Sequence, residues 1–413
     1  MITQSSSKSN LKQGLVLGLL LLLLFAADSY AMYVVFSSRF PGAADFFPRW
    51  YGGRVLLLEG RNPYEREVAL EAQLGLFGRY TEPWEDQVAF AYPLYTLFLF
   101  WPLVYVPYAA AQAMWMVVLQ FILVFGAGLC LKLVRWQIPS WLLLLTMLWA
   151  VFFYPGARSV ILGQFSVVVF GFFVAALWAA EQRRDYIAGV CLALTTIKPQ
   201  MVFMLVPLLL LWALTQRRWQ IVIGFGSALL ILTGTAMLLV PTWLQDFYSG
   251  LFAYSDYVGF YSPIENLTRT FAAPIAIALA NGLSLLLAGL MLFSWGQVWL
   301  KKPGWFVYAL MLTLIIGNLV AFRSATTNHV ILYLPLLLWF RRISELDNRG
   351  NTVVFLVQTG LNLLLWFGFL KFIIGTNFEH PFMHGFLPLL LLLLYLADWR
   401  GLFSIARKIE AGG

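Results

Sequence analysis

Apolar runs about as long as a bilayer is thick recur along this chain, and they decide what it can fold into. The first lies between Gly14 and Phe36 and contains LVLGLLLLLLFAA. Crossing about 30 Å of hydrocarbon takes roughly 20 helical residues. No water reaches the backbone there, so each run must satisfy its own N–H and C=O groups as a helix. Composition agrees: the 413 residues are 61% hydrophobic and only 11% charged, where a soluble domain carries about a quarter charged residues. The expected fold is all-α, a polytopic transmembrane helical bundle of about 12–13 membrane segments forming one integral membrane domain over 1–413. No small-residue cleavage site precedes Asp28, so the first run reads as a retained span rather than a signal peptide.

A net charge of +8 raises the question of nucleic acid, and the placement of the charges answers it. They fall in short clusters between apolar runs: Lys8 and Lys12, Lys132 and Arg135, Arg183 and Arg184, Arg217 and Arg218, Lys301 and Lys302, Arg341 and Arg342, then Arg400, Arg407 and Lys408. That is the positive-inside pattern, not a groove for phosphodiesters. With every cluster cytoplasmic, both termini are cytoplasmic and the outer segments become 37–89, 155–164, 198–200, 242–269, 323–329 and 376–385. Cys130 and Cys191 form neither a disulfide framework nor a metal motif.

Two stretches leave alternatives open. Tyr92 to Pro107, with prolines at 93, 102 and 107, is apolar enough to enter the membrane, yet a full span there would flip Lys132 and Arg135 outward. It is either a short re-entrant element or a local failure of the charge rule. Asp185 to Leu214 has two short apolar halves joined by Thr195-Thr196-Ile197-Lys198-Pro199-Gln200. We read it as a helical hairpin with Lys198 near its tip, the competing form being one long helix kinked at Pro199.

The first outer loop, 37–89, concentrates polar chemistry. Asp45, Glu59, Glu65, Glu67, Glu71, Glu82, Glu85 and Asp86 lie in it, eight of the chain's nineteen carboxylates. Around Asp45, Arg49, Tyr51, Arg54 and Tyr64 interleave aromatic and guanidinium groups that can hold sugar rings and lipid phosphates, although Trp and Tyr also serve as plain interfacial anchors. A carboxylate just beyond the first span can accept the proton of an attacking hydroxyl.

These residues carry a resemblance. Asp45-Phe46-Phe47, the leucine-rich stretch Arg54 to Glu59, and Gly60-Arg61-Asn62-Pro63-Tyr64 are followed in order by Ala91-Tyr92-Pro93-Leu94, Trp101-Pro102-Leu103, Leu162-Gly163-Gln164-Phe165-Ser166, Ala188-Gly189, Ile197-Lys198-Pro199 and Arg217-Arg218-Trp219. The ordered set resembles the GT-C superfamily of polytopic glycosyltransferases, specifically family 87, the polyprenol-phosphate-mannose-dependent mannosyltransferases. It covers most of 1–220, leaving 221–413 as C-terminal helices with sparser likeness. Two positions depart from the family pattern: Leu94 where a second proline is usual, and Ser166 where an asparagine is usual. The resemblance implies a polyprenyl-phosphate-linked sugar donor, mannose by default, a lipid or glycan acceptor, and inverting transfer on the extracytoplasmic face of a bacterial cytoplasmic membrane, with no cofactor. No Asp-Xaa-Asp triplet occurs, in keeping with a donor that is not a nucleotide sugar.

On that reading Asp45 is the general base, with Asp28 as the second candidate; a carboxylate near a span end is costly and often functional, but also reaches interfacial water. Lys198, Arg158 and Gln164 are candidate ligands of the donor phosphate or sugar, against the plainer roles of a snorkelling lysine and loop polarity. His329 and Arg323 join them through the resemblance. Arg49, Tyr51, Arg54, Tyr64, Tyr92 and Asn266 are candidate sugar or acceptor contacts. His380 and His384 have helical ligand spacing, but Pro381 intervenes and no third ligand follows, so no metal is assigned. Two other classes also fit a polytopic chain: a transporter or flippase, whose expected internal repeat is missing, and a noncatalytic assembly partner in the membrane.

Overall fold

The computed structural model describes residues 3–40, 42–257, 261–322, 324–374 and 379–412, with side chains described from residue 13 and omitted for 252–257. Helices and short helical turns make up the architecture, and no strand occurs among the described residues. Among the described residues five helices are long and apolar enough to cross a membrane: Gln13–Ser37, Tyr108–Leu133, Trp219–Leu239, Ala273–Trp299 and Gly350–Phe372. Two further pairs bend sharply, Ser140–Phe152 with Tyr154–Leu162 by 45° and Pro381–Ala397 with Trp399–Glu410 by 88°. Four shorter apolar helices complete the set: Ser166–Glu181, Asp185–Ile197, Leu205–Thr215 and Trp305–Val320. The protein is a polytopic helical bundle. Its outer leucines, such as Leu22 at 66% exposure, could not face water as a continuous belt and instead face lipid. Trp305–Val320 is apolar on all sides and buried along nearly its whole length, as a helix at the bundle centre must be.

The charged turns gather on one face, and named contacts tie them together. Arg341 donates to the Val134 carbonyl at 2.7 Å, Arg135 pairs with Glu181 at 3.2 Å, and Arg218 donates to the Ala180 carbonyl at 2.5 Å. Arg342 pairs with Asp398 at 2.6 Å, and Glu410 accepts the Gly304 N–H at 2.6 Å. Lys132 and Arg135 therefore share a face with the basic clusters at 183–184, 217–218, 301–302, 341–342 and 400–408. The doubtful stretch before them explains why: it folds into two 3-10 turns, Leu94–Leu99 and Trp101–Tyr105, which stop short of a span.

Asp185 to Leu214 is a hairpin. Arg218, just past its second arm, pairs with Asp185 at the start of its first, so the two ends meet and the chain must travel out and return. Both arms are helical, Asp185–Leu194 and Leu205–Thr215, with Lys198 in the break between them. Lys198 Nζ donates to Gln164 Oε1 at 2.8 Å. Gln164 stands at the start of Ser166–Glu181, a helix of 16 residues, which at 1.5 Å per residue is roughly 24 Å long. Lys198 thus stands about that far from the basic face, near the opposite boundary of a hydrocarbon layer of about 30 Å.

Two glycines let the first arm cross Trp219–Leu239 at backbone contact. A Cβ on Gly189 would fall 2.1 Å from the Ile221 carbonyl oxygen, and one on Gly224 would fall 2.3 Å from the Tyr186 carbonyl oxygen. Rigid backbone on both sides leaves no room to yield, as in close crossings of membrane helices elsewhere. Gly189→Leu should therefore lower the melting temperature of purified protein and its monodisperse yield, whereas Gly128→Leu, where a Cβ meets nothing within 4 Å, should not. Equal melting curves for the two variants would show that the crossing is not tight.

Candidate active site

The first-loop helix, Phe47–Glu59, has Pro48 in its first turn and ends on Gly60 in the left-handed conformation, both standard punctuation. Gly52 and Gly53 bring it down onto the chain between Phe90 and Phe100: added Cβ atoms would lie 2.7 Å from Phe90 and 2.6 Å from Leu97. Its polar side chains bind what it covers. Trp50 Nε1 donates to the Leu103 carbonyl at 2.8 Å and Arg54 to the Val104 carbonyl at 2.7 Å. The Leu103 carbonyl also accepts the Val106 N–H at 3.4 Å, so these bonds clamp the end of the 3-10 turn to the helix above it.

Asp45 precedes this helix, and its own backbone fixes it. Its N–H donates to the Leu162 carbonyl at 3.1 Å, laying the segment across the turn at Gly163 and Gln164. Gly163 has φ +69°, and a Cβ there would fall 2.6 Å from Phe46 Cβ. Only glycine gives both the turn and the approach. Phe46 then stacks on Trp115 at 5.0 Å, and Trp115 Nε1 donates to the Gly163 carbonyl at 3.0 Å.

A cavity of about 810 Å³ opens beside this junction, and all six expected outer segments contribute to it: Asp45, Arg49 and Asp86, then Arg158 and Gln164, Lys198 and Gln200, Phe247 and Leu251, Ala325, Thr327 and Asn328, and Glu379. Tyr92 and Pro93 complete the polar side. Lys198 is only 4% exposed; burial pushes its amine down to about 7, with Asp45 pulling up and Arg49 pushing further down. Gln164 Oε1 also accepts from the Tyr92 hydroxyl at 3.4 Å. Arg49, 9% exposed, lies over the Tyr92 ring at 4.4 Å, and its Nε has no hydrogen-bond partner. Asp86 faces the cavity and accepts the Val88 N–H at 2.8 Å. Surrounding protein raises its carboxyl above the ordinary range; the Val88 bond opposes this, while Asp45 adds to it. Arg158 is already neutralised: it pairs with Glu379 at 2.8 Å and donates to Tyr154 at 2.9 Å and Thr326 at 2.5 Å.

The structure thus brings Asp45, Arg49, Tyr92, Arg158, Gln164 and Lys198 together, and puts other expected contacts elsewhere. Tyr51 donates to Glu71 at 2.9 Å, Arg54 holds the Val104 carbonyl, and Tyr64 donates to the Tyr92 carbonyl at 2.6 Å. All three staple the first loop and do not line the cavity. His329 is buried behind Asn328, its ring 6.3 Å from that of His384; burial, His384 and Arg158 together hold it down to about 3. A neutral imidazole off the cavity wall does not meet a phosphate. Asn266 donates to the Glu379 backbone carbonyl at 3.1 Å, positioning that residue from behind. Arg323 lies outside the described residues. Asp28 sits within the first helix, Thr3–Met32, and is not a cavity residue. His380 accepts the Phe382 N–H at 3.2 Å while His384 turns towards His329, so the two do not converge. Asp86, Gln200, Thr327, Asn328 and Glu379 are the polar cavity residues, among those described, that sequence reasoning missed. Their one signal is a carboxylate, amide or hydroxyl in an outer segment, which does not tell a wall from a surface.

Fold and site define a polytopic membrane protein with a chamber of opposed carboxylates and cations at the face remote from its basic turns. The chain belongs to glycosyltransferase family 87, whose model matches residues 90–334, more than half its length, and it is a membrane glycosyltransferase. No curated protein and no solved structure matches it. The matched region begins after the first loop, and the Asp45–Leu162 bond is one of several that join the two, with those of Trp50, Arg54 and Tyr64. Gly163→Ala should strain that turn and displace Asp45, and a displacement near 1 Å costs about 10²-fold in rate. Transferase turnover in folded Gly163→Ala protein measures this; wild-type turnover would free Asp45 from any dependence on the turn.

Proposed function

We propose that this glycosyltransferase moves a hexose, mannose by default, from a polyprenyl phosphate to a lipid or glycan acceptor, with inversion, on the extracytoplasmic face of a bacterial cytoplasmic membrane. The observation that carries this reading is the buried pair Arg49 and Lys198, two cations in one cavity with no carboxylate bonded to either among the described residues. Buried guanidinium and ammonium groups need counter-charge, and a lipid-linked phosphate entering from the bilayer supplies it. Charge-assisted bonds of this kind suit phosphate oxygens.

Asp45 is the proposed general base. Its carboxylate takes the proton of the acceptor hydroxyl as that oxygen bonds to the anomeric carbon. The bond from that carbon to the phosphate oxygen breaks with its electron pair passing to the phosphate. Arg49 and Lys198 bind the charge that grows there, which is where preorganised cations lower a barrier most. Gln164 holds the Lys198 ammonium and Tyr92 backs Arg49, so both cations are placed before the donor arrives. Apolar Phe203, Phe247 and Leu251 on the cavity wall give the first prenyl units a surface.

Asp45→Asn keeps size and removes basicity, so kcat should fall by about 10²-fold or more while binding of polyprenyl phosphate is retained. Near-normal transfer by the folded variant would withdraw Asp45, and Asp86 would then be the carboxylate to test. A second expectation concerns pH. An anionic donor binds the protonated amine, and the free amine loses its proton near 7, so donor KM should climb as pH rises past about 7. In Lys198→Ala the KM should be high throughout and lack that inflection. Superimposable KM profiles for the two proteins would make Lys198 a structural residue.

A further inference from the structure

Glu379, Asn328 and Thr327 form a second polar patch on the cavity wall, and its chemistry differs from that of Arg49 and Lys198. Glu379 is 9% exposed. Its Oε1 is fully used, accepting from Arg158 at 2.8 Å, from Thr326 Oγ1 at 3.1 Å and from the Thr326 N–H at 3.3 Å. Its Oε2 has no partner among the described residues. Asn328 gives its amide N–H to Ser324 Oγ at 3.4 Å, and among the described residues neither its Oδ1 nor Thr327 Oγ1 has a partner. All three side chains are at least nine-tenths buried.

Native interiors rarely leave such atoms unsatisfied, and a cluster of them at a cavity calls for a ligand with matching hydrogens. Two of the three are pure acceptors, so the ligand must donate. An anion is disfavoured by the Glu379 oxygen. A cation is disfavoured because Arg158 already neutralises that carboxylate, and no three His, Cys, Asp or Glu side chains among the described residues could hold a metal ion. Neutral hydroxyl donors at neighbouring positions remain, and a pyranose ring presents them.

We propose that Glu379 Oε2, with Asn328 Oδ1 and Thr327 Oγ1, binds adjacent hydroxyls of a sugar and selects it by their configuration. The proposal rests on the glycosyltransferase assignment and deepens it, since neither the family nor the phosphate-binding cations say which sugar fits. Arg158 acts through Glu379: it fixes Oε1 and so aims Oε2. Asn266, on the Glu379 backbone carbonyl, serves the same end.

The test uses Glu379→Gln, which keeps shape and an acceptor for Arg158, and Asn328→Ala, which leaves the Arg158 network untouched. Polyprenyl phosphates bearing mannose, glucose, galactose and monodeoxy forms of the preferred sugar are the donor probes; methyl glycosides and their deoxy forms are the acceptor-side and binding probes. In wild type, removing the recognised hydroxyl should cost roughly 10- to 100-fold in kcat/KM, the penalty of stranding a buried acceptor. Both variants should shrink that ratio towards one, while sugar-free polyprenyl phosphate inhibits all three proteins alike. A ratio that collapses on donor analogues assigns the patch to the transferred sugar, and one that collapses on acceptor analogues assigns it to the acceptor. Unchanged ratios in both variants, or equal loss for every analogue and for the sugar-free lipid, would overturn the proposal. If wild type turned over none of the lipid donors, the donor class proposed above would fall. The patch would then be judged by methyl glycoside binding in saturation-transfer NMR, which Glu379→Gln must weaken.

Discussion

Charge cannot rest unpaired in hydrocarbon, and this constraint orders the whole molecule. At the basic face, carboxylates and helix-end carbonyls take up the arginines: Asp185 and the Ala180 carbonyl hold Arg218, Asp398 holds Arg342, and Val134 holds Arg341. Those contacts set the depth of the helices they terminate. The Arg218–Asp185 pair is the most consequential of them, because closing the base of the hairpin fixes how far its tip reaches. Lys198 is consequently delivered to one height, where Gln164 receives it. Opposite the basic face the same constraint yields a balanced chamber: Arg49, Lys198 and Arg158 among Asp45, Asp86 and Glu379.

Balance in sum does not mean pairing in detail. Arg158 and Glu379 are bonded to each other, and their attraction is spent on fixing the wall. Arg49 and Lys198 are held by a neutral amide and an aromatic face, partners that orient a cation without cancelling it. Asp86 stands within Coulombic reach of Asp45 and Arg49, and Lys198 within reach of Asp45 and Arg49. Two charges of each sign held apart can respond to a ligand that brings its own charge, whereas a collapsed set of ion pairs could not.

Much of this was legible in the sequence. Runs of apolar residues about 20 long, cut by basic pairs, define the bundle and its two faces, because the bilayer imposes a length and the charge asymmetry an orientation. The six outer segments follow from that bookkeeping, and the cavity is where they meet. Gly163 and Gln164 were visible as a motif, though the need for glycine beneath Phe46 was not. What the sequence could not convey is which side of a loop element faces inward. Arg49, Tyr51 and Arg54 lie within six residues of one another on one helix, yet only Arg49 reaches the cavity, since Gly52 and Gly53 turn Arg54 towards the 3-10 carbonyls. Similarly, His329 and Asn328 are neighbours in sequence, and the amide rather than the imidazole lines the wall.

The geometry also bears on why the first loop is so rich in carboxylates when only two of the eight reach the cavity. Glu71 ties Arg61 at 2.9 Å and Tyr51 at 2.9 Å, and Glu85 ties Arg79 at 2.8 Å. Each of these pairs is open to solvent, which screens it and leaves it weak. Their weakness suits their place. The loop takes its shape from these small polar bonds together with deep apolar anchors, Trp50, Phe46 and Phe47 among them. Deep packing is thereby concentrated beside the cavity-lining Asp45 and Arg49, while the exposed ion pairs lie farther along the loop.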